Sequence, residues 1–407
     1  MLLAAALLLL IPSGVLFLEC FAALLPARPV ELAATRPRLA VLVPAHNEEL
    51  GIQPVLQQLL KQLGPDDQLV VIADNCTDST AAQARATGAT VIERQDSERR
   101  GKGYALDYGL QYLAGKLTNS QGEPLLPADQ LAGQPDVVAV VDADCLVEDG
   151  TLARIAAAAH TTGRPVQATY LMERPARPKP KDAVSALAFL VKNWVRPQGL
   201  HNLGFPGILT GTGMAFPWSV IRTVSLASGN IVEDMQLSMD LAIAGYPTLA
   251  CPHTRVTGLL PQQEQAAKSQ RTRWEHGHLQ TLRSQVPRLL QAALWQRRVD
   301  LAAIGLDLLV PPLSLLVMLW AGVMALALLL GLLTQLWLPT GLLLLEGGLI
   351  GVAVLAAWAK FGRADLPALT LLAVPFYVLW KVPLYLAYVI KPQTKWVRTE
   401  RDAVSKS

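Results

Sequence analysis

The chain has 407 residues, of which 52% are hydrophobic and 16% are charged, and its formal net charge at pH 7 is only +3. This hydrophobic share is high for a wholly soluble protein, so we expect part of the chain to lie in a membrane. The basic residues are dispersed, which gives no indication of nucleic-acid binding. Its four cysteines are far apart and lack CxxC spacing, so neither a zinc site nor a disulfide scaffold is indicated.

The first apolar segment runs from Leu2 to Leu25 and is interrupted only by Pro12, Gly14 and Glu19. As a helix it is long enough to cross roughly 30 Å of hydrocarbon. We therefore predict a transmembrane helix over residues 1–25. A cleaved secretory signal is the alternative, but the segment has no basic start and is longer than the apolar region of such a signal.

Residues 38–290 alternate short β-branched runs with amphipathic helical patterns, which predicts an α/β domain with a doubly wound, mostly parallel sheet. The predicted strands cover residues 39–43, 69–73, 90–93, 137–141 and 165–169, and the predicted helices cover 49–63, 79–87 and 102–113. In sheets of this kind, ligands bind beyond the carboxyl ends of the strands. Candidate functional residues are therefore expected at those ends.

Polar side chains follow three of the predicted strands directly. They are His46, Asn47 and Glu48 after the first strand, Asp74, Asn75 and Asp78 after the second, and Asp142 and Asp144 after the fourth. The alternate carboxylates of Asp142 and Asp144 are within reach of one hard cation. The alternatives are a turn with a helix cap for residues 75–80 and a solvated loop for residues 142–144.

Lys102 stands between Gly101 and Gly103 at the start of a predicted helix. Backbone N–H groups at a helix start and a lysine ammonium both suit a phosphate group. The pattern therefore indicates a phosphate contact, with a simple basic turn as the alternative.

The last part of the chain is again apolar. Residues 299–312 predict an amphipathic helix on the membrane surface, or else the start of the next span. Residues 313–390 predict two to three spans, and the last apolar segment, 366–390, is ambiguous because it contains Pro375, Lys381 and Pro383. Crossing would place the basic tail 391–407 opposite Lys360 and Arg363, against the positive-inside rule, so the segment either crosses or lies in the interface.

Six motifs, in order along the chain, resemble the family 2 glycosyltransferases with the GT-A fold. They are Pro44-Ala45-His46-Asn47-Glu48, Asp74-Asn75, Gly101-Lys102-Gly103, Asp142-Ala143-Asp144, Glu233-Asp234 and Gln270-Arg271-Thr272-Arg273-Trp274. The last motif and the flanking membrane helices are similar to the membrane-bound polysaccharide synthase branch, which includes cellulose, chitin, hyaluronan and poly-N-acetylglucosamine synthases. The resemblance implies a Rossmann-like nucleotide-diphospho-sugar transferase domain flanked by transmembrane helices.

The resemblance also implies a role for each motif residue. Pro44, Ala45, Glu48 and Asp74 would hold the base and ribose of a uridine-type nucleotide, Lys102 and Asp142 would contact the diphosphate, and Asp144 would bind Mg²⁺ or Mn²⁺. Asp234 is the expected general base, and Gln270, Arg273 and Trp274 are expected to close over the donor diphosphate and the acceptor sugar. The alternative to sugar stacking for Trp274 is a core or interfacial position. Residues 210–213 form either a loop near the acceptor or a tight turn.

The function implied is inverting transfer of a sugar from a nucleotide-sugar donor to a growing polysaccharide. Transfer of a single sugar to a polyprenyl-phosphate or other lipid-linked acceptor is the alternative enzyme, and a membrane assembly or transport subunit that only senses nucleotide is the alternative outside enzymes. The expected location is the inner cell membrane, with several spans, contacts to membrane lipid and a cytoplasmic catalytic domain. Polysaccharide-export proteins are expected partners.

Overall fold

The computed structural model describes residues 1–30, 32, 35–118, 121, 123–126, 134–173, 180–227, 233–259, 264–364 and 366–390, without the side chains of 180, 259 and 264–271. The predicted basic tail 391–407 lies outside these residues. The chain divides into two compact units. The sheet unit contains Pro29–Glu173 and Ile208–Gln263, and the helical unit contains Met1–Arg28, Arg174–Gly207 and Glu264–Thr394.

The sheet unit alternates strands and helices, as its hydrophobic patterns predict. Its strands are β1 (Leu39–Ala45), β2 (Gln68–Asp74), β3 (Thr90–Arg94), β4 (Val137–Val140), β5 (Cys145–Val147), β6 (Val166–Glu173), β7 (Met214–Pro217) and β8 (Leu249–Leu259). Its helices are α2 (Ile52–Leu60), α3 (Thr80–Arg85), α4 (Lys102–Leu113), α5 (Thr151–Thr162), α8 (Trp218–Ile221) and α9 (Glu233–Ile243). The five predicted strands and three predicted helices are confirmed to within a few residues.

The eight strands form one sheet in the order β3-β2-β1-β4-β7-β6-β8-β5. β1 to β4 are parallel, but β7 is antiparallel to β4 and β6, and β5 is antiparallel to β8. β6 is parallel to β8, so four of the seven pairs of neighbouring described strands are parallel and three are antiparallel. The predicted parallel arrangement is thus confirmed for β3-β2-β1-β4, whereas the other half of the sheet is mixed. Strands β5 and β7 have only three and four residues, too short for a periodic hydrophobic pattern, and β8 was not predicted either.

Alternate residues of the central strands point to two separate cores, because successive side chains of a strand lie on opposite faces. Val41 and Val43 of β1 pack on the side of α2 and α5, whereas Leu42 packs with Ile72 and Phe216 on the side of α4 and α9. Helices cover both faces of the sheet, as predicted.

The helical unit consists of helices and their connections throughout its described residues. Its α-helices are α1 (Leu2–Ala22), α6 (Pro180–Leu190), α7 (Arg196–Leu203), α10 (Glu264–Gln296), α11 (Val299–Leu309), α12 (Leu313–Thr334), α13 (Leu338–Ala357) and α14 (Val374–Ile390). Residues Val191–Val195 and Trp358–Gly362 are π-helical, and Ala368–Ala373 form a 3₁₀ helix. α11 is separated from α12 by residues 310–312, and its place on the membrane surface stays a prediction.

Four described helices are long and apolar enough to cross a membrane: Leu2–Ala22, Leu313–Thr334, Leu338–Gly362 and Ala368–Ile390. Large apolar side chains such as Leu8, Leu333 and Leu344 are mostly exposed along them. Exposed apolar surface on this scale marks contact with lipid. These four helices fit a membrane protein.

A buried ion cluster joins three helices of this unit. Arg196 Nε donates to Glu19 Oε2 at 2.6 Å, and one terminal nitrogen of Arg196 donates to the carbonyl and a carboxylate oxygen of Asp307 at 2.6 and 2.5 Å. All three side chains are less than a tenth exposed. Glu19, which interrupts the first apolar segment, thus has a cationic partner at the end of α1.

Candidate active site

Asp142 and Asp144 follow β4 immediately, at the carboxyl end of the strand. The Asp142 N–H donates to Thr212 Oγ1 at 3.0 Å, which ties the turn after β4 to the loop before β7. One ligand atom each of Asp142, Asp144 and Cys145 lies within 4.8 Å of the others. Two carboxylates at this spacing form a donor set for a hard divalent cation.

Cys145 fits that donor set poorly. Its side chain is fully buried, and burial, reinforced by the charges of Asp144 and Asp142, raises the pKa of its thiol well above the ordinary value. A thiol that stays protonated is a weak ligand for Mg²⁺ or Mn²⁺, which prefer oxygen. The carboxylates of Asp142 and Asp144 are therefore the groups that fit a metal here.

Lys102 begins α4 and reaches the same turn. Its Nζ forms an ion pair with Asp142 and donates to the Gly211 carbonyl at 2.7 Å. Burial alone would lower the pKa of Lys102, but the charges of Asp142, Glu233 and Asp234 outweigh it and hold the pKa above the ordinary value. Lys102 is thus a permanently charged cation at a helix start.

The loop of residues 210–213 is held by a residue that the sequence analysis did not identify. Gln167, in β6, accepts from the Thr210 N–H at 2.8 Å and donates to the Thr212 carbonyl at 2.8 Å. Its side chain is 5% exposed. The only sequence signal for it is one amide side chain within an apolar strand, and its role is to fix the loop whose carbonyl binds Lys102.

Gly211 has a φ of 94°, which side chains other than glycine rarely adopt. A Cβ at this position would lie 3.2 Å from Asp234 Oδ2 and 3.8 Å from Lys102 Nζ. The missing side chain therefore lets a carboxylate and an ammonium approach the same piece of backbone.

Glu233 and Asp234 form the first turn of α9, where carboxylates are favoured by the helix dipole. Asp234 Oδ1 accepts from the Met235 N–H at 2.8 Å. Burial, reinforced by the neighbouring charge of Asp234 and opposed by Lys102, raises the pKa of Glu233 to about 7. The predicted base Asp234 therefore lies in the same electrostatic cluster as Lys102 and Asp142.

Asp74, at the end of β2, pairs with Arg94, the last residue of β3. Arg94 donates to Asp74 Oδ1 at 2.7 Å, and the Asn75 amide donates to the same oxygen at 3.0 Å. Asp74 and Arg94 are both less than a tenth exposed. The second carboxylate oxygen, Oδ2, accepts no hydrogen bond from the described part of the chain.

Pro44 and Ala45 end β1 and pair with Ile72 and Ala73 of β2. The chain then turns through Asn47, which has a φ of 56°. Glu48 is 8% exposed, and its backbone N–H donates to Thr80 Oγ1 at 2.7 Å. Asp78 Oδ1 accepts from the Thr80 N–H at 3.0 Å, which orders the turn before α3, although the N-cap residue Ser79 makes no side-chain capping hydrogen bond.

The sheet unit contains most of the predicted site residues in two groups. Pro44, Ala45, Glu48 and Asp74 lie at or just after the ends of β1 and β2, and Lys102, Asp142, Asp144 and Asp234 lie around the turn after β4. The predicted residues Gln270, Arg273 and Trp274 belong to α10 of the helical unit. The Trp274 ring contacts the Phe189 ring of α6 at a centroid distance of 5.7 Å, and the side chain of Gln270 lies outside the described residues.

Comparison with known proteins agrees with this architecture. The curated 4,4'-diaponeurosporenoate glycosyltransferase of Staphylococcus aureus (strain MRSA252) is 36% identical over 77 residues, which are 18% of this chain and 20% of that protein. The chain thus spans about a fifth of the length of the curated relatives it matches. The structure of a mannosyltransferase from Pyrobaculum calidifontis, solved with GDP-Man and Mn²⁺, has 20% identity and a TM-score of 0.53. The alignment covers 94% of this chain and all of that one, and it shows a shared fold.

A family model described as "Glycosyltransferase like family 2" matches residues 37–277, which is more than half of the 407 residues. The matched stretch contains all of the site residues named above. The chain belongs to this glycosyltransferase family.

Proposed function

We propose that this protein transfers a sugar from a nucleoside-diphosphate sugar, with uridine as the nucleoside, to the hydroxyl group of a growing polysaccharide. The observation that carries the proposal is the cluster at the strand ends, where the Lys102 ammonium lies among the carboxylates of Asp142, Glu233 and Asp234. Such a site combines a cation for phosphate oxygens, carboxylates for a metal and a carboxylate for proton transfer.

The donor's base and ribose would lie against the end of β1 and β2. Asp74 Oδ1 is already bonded to Arg94, so Oδ2 is the oxygen that would accept from a nucleobase N–H. Pro44 and Ala45 would offer backbone groups, and the buried Glu48 would face the ribose. The hydrogen bond from Arg94 fixes the orientation of the Asp74 carboxylate before the donor binds.

The diphosphate would lie between Lys102 and the carboxylates of Asp142 and Asp144. When bound there, Mg²⁺ or Mn²⁺ would stabilise the negative charge of the leaving nucleoside diphosphate. Lys102 would donate to the phosphate oxygens from the start of α4, where backbone N–H groups also point. The Gly211 carbonyl and Asp142 hold the ammonium in place before the donor arrives.

Asp234 would act as the general base. Its Oδ1 is held by the Met235 N–H, and its Oδ2 faces the backbone of Gly211, so the carboxylate is oriented. A carboxylate within hydrogen-bond reach of the acceptor hydroxyl takes its proton as attack begins. Direct attack in one step on the opposite face of the sugar inverts the anomeric carbon, which is the mechanism that we propose.

Gln270, Arg273 and Trp274 are proposed to complete the site by analogy with the family motif. Arg273 would neutralise charge on the leaving diphosphate, and Trp274 would stack on the acceptor ring. The Phe189 ring contact in the helical unit orients the Trp274 indole.

The test is a donor screen on membranes that contain the protein, with UDP- and GDP-linked sugars and with Mg²⁺ or Mn²⁺ added or chelated. We expect one donor to be consumed in a metal-dependent reaction, and the Asp144→Asn variant to lose this activity. If the wild type consumes no donor under any of these conditions, the proposal is wrong.

A lipid-linked acceptor is the second candidate. It is favoured by the Staphylococcus aureus relative, a glycosyltransferase that is named for a single compound rather than a polymer. The four helices that are long and apolar enough to cross a membrane also favour it, because they would bring a lipid-linked acceptor close to the enzyme. Mass analysis of the product separates the two: a ladder of masses supports the polysaccharide, and a single added sugar on a lipid supports the second candidate.

A cytoplasmic catalytic domain in the inner membrane, with export proteins as partners, completes the proposal. The proposed nucleotide-sugar donor is made in the cytoplasm, and Lys360 and Arg363 favour a cytoplasmic position for the connection after α13 by the positive-inside rule. Co-purification from solubilised membranes would identify an export partner.

A further inference from the structure

Two clusters of buried side chains mark the two ends of the packed helices α1, α12 and α13. We call the first the exit layer, which contains Leu16, Cys20, Ala23, Leu316, Ala353 and Ala357. We call the second the entry layer, which contains Ala6, Met324, Ala327 and Leu343. Ala6 and Cys20 are separated by roughly 20 Å along α1 at 1.5 Å per residue. The two layers therefore lie at different depths of a helix bundle that crosses the membrane.

The end of α13 confirms the direction of the bundle. Lys360 Nζ donates to the carbonyls of Ala23 and Leu24 at 2.9 and 2.8 Å. The π-helical turn after α13 thus lies where α1 ends. α1 and α13 run in the same direction, and α12 begins at the exit layer and runs in the opposite direction.

Both ends of the last apolar segment, Ala368–Ile390, lie at the exit layer. Leu366, just before the segment, is a buried member of the same cluster as the exit-layer residues, and Leu371 packs against that cluster. Near the other end, the Tyr385 hydroxyl lies 2.6 Å from Ser314 Oγ at the start of α12. A straight crossing would separate Leu371 and Tyr385 by roughly 20 Å in depth, but among the described residues the entry layer includes none from this segment.

The second half of the segment packs against a polar part of α10. Lys381 is 1% exposed and forms an ion pair with Glu275. His276 Nε2 donates to the Leu384 carbonyl at 3.1 Å, and its ring contacts Tyr388 at a centroid distance of 5.1 Å. Arginine, glutamate and histidine on α10 are costly inside hydrocarbon, so this contact belongs near the membrane surface.

The opposite face of the segment is apolar and exposed. Leu369, Leu372, Phe376 and Leu379 recur at helical spacing and are 68% to 77% exposed. Lipid is the occupant that fits this face, because the neighbouring α12 and α13 also expose leucines. The segment thus has one face against the charged helix α10 and the opposite face toward lipid. A helix that lies in the plane of the membrane interface has this arrangement.

We propose that Ala368–Ile390 lies along the membrane surface at the exit layer, and that only α1, α12 and α13 cross the bilayer. The C-terminus then lies on the same side as the end of α1. The basic residues that follow Ile390 share that side with Lys360 and Arg363, which removes the conflict with the positive-inside rule. The segment also holds residues 273–276 of α10 at the membrane surface through Lys381.

Cysteine accessibility tests this topology in the full chain. Cys76 is the one free cysteine that is not buried, so a Cys76→Ser background would carry one new cysteine at a time: Gln335→Cys, Arg363→Cys or Ser407→Cys. Cells are labelled with a membrane-impermeant maleimide before and after permeabilisation. We expect Ser407→Cys to behave like Arg363→Cys and opposite to Gln335→Cys. Labelling of Ser407→Cys together with Gln335→Cys would show that the segment crosses.

Spin labels measure the depth of the segment directly and do not depend on transferase activity. Labels at Leu369→Cys and Leu379→Cys on the lipid-facing side should have the same depth within a few Å. For a segment that crosses, ten residues at 1.5 Å per residue would separate the two labels by roughly 15 Å, and such a result would overturn the proposal.

Discussion

The ammonium of Lys102 and the carboxylate of Asp142 form an ion pair at the carboxyl edge of the sheet, 40 residues apart in the chain. α4 supplies one partner and the turn after β4 supplies the other. The Gly211 carbonyl holds the ammonium from a third direction. This pair links the proposed phosphate contact to the proposed metal site, so changes at either residue should alter donor binding.

Replacing Lys102 by methionine should weaken binding of a nucleoside diphosphate by about 10- to 100-fold. A charge-assisted hydrogen bond contributes roughly 1.5–3 kcal/mol, and 1.4 kcal/mol corresponds to a factor of ten. Titration calorimetry with UDP and Mn²⁺ measures the Kd. Lys61→Met, at the exposed end of α2, is the matched control and should leave the Kd unchanged. Equal affinities for the two variants would contradict the role of Lys102.

Metal binding should depend on Asp144 and not on Cys145, although both contribute atoms to the same cluster. Asp144→Asn removes a carboxylate charge and should raise the Kd for Mn²⁺ at least tenfold. Cys145→Ser should change it less than twofold, because the raised pKa of the thiol keeps it protonated. Electron paramagnetic resonance of free Mn²⁺ gives both values. A large loss of Mn²⁺ affinity in the Cys145→Ser variant would show that the thiol is a ligand.

The pairing of Asp74 with Arg94 illustrates what the sequence left open. The sequence marks Asp74 as a ligand residue, because it ends a strand in an ordered series of motifs. The partner became evident only from the parallel register, in which Asp74 lies opposite Arg94. A register is fixed by pairing between distant segments, which hydrophobic periodicity within one strand does not encode.

The same limit applies to Lys381. Its position in an apolar run made the last segment ambiguous, and the partner that explains it, Glu275, lies 106 residues away. The short strand β7 escaped prediction for a different reason: its four residues are stabilised by pairing with β4 and β6 rather than by their own pattern. Ordered motifs and long apolar segments were predictable because each is contained in a short stretch of chain.

Breaking the buried ion cluster of Arg196, Glu19 and Asp307 should lower the free energy of unfolding of the helical unit. Arg196→Met leaves the carboxylates of Glu19 and Asp307 buried without their cation, and such a loss costs about 3–5 kcal/mol. Arg298→Met breaks a partly exposed pair with Asp300, which is worth about 0–1 kcal/mol. Thermal unfolding of both variants in one detergent compares them. Similar shifts in Tm would show that the buried cluster adds no special stability.

Acid should destabilise the helical unit through His278. Its side chain is 5% exposed, and burial, reinforced by the charges of Lys192 and Arg196, holds the pKa of the imidazole well below the ordinary value. The folded protein keeps His278 neutral, whereas the unfolded chain binds a proton below about pH 6.5. Stability is therefore lost as the pH falls below that value, by roughly 1 kcal/mol at pH 5.5.

Thermal unfolding between pH 7.5 and 5.5 checks this effect. His278→Gln should flatten the pH dependence of the Tm in this range. The matched control is His160→Gln on the exposed face of α5, which should keep the wild-type dependence. If the Tm of both variants depends on pH in the same way, groups other than His278 cause the acid sensitivity.

Gly211→Ala separates backbone strain from damage to the site. Gly211 and Gly150 both have positive φ values, 94° and 77°, so alanine at either position costs about 1–2 kcal/mol of stability. Only at Gly211 does the new Cβ meet functional groups, 3.2 Å from Asp234 Oδ2, whereas a Cβ at Gly150 meets nothing within 4 Å. Misplacing a reacting group by about 1 Å can lower a rate up to 100-fold. We therefore expect similar Tm values for the two variants, but at least a tenfold lower transfer rate for Gly211→Ala alone; equal rates would show that Asp234 does not need its present position.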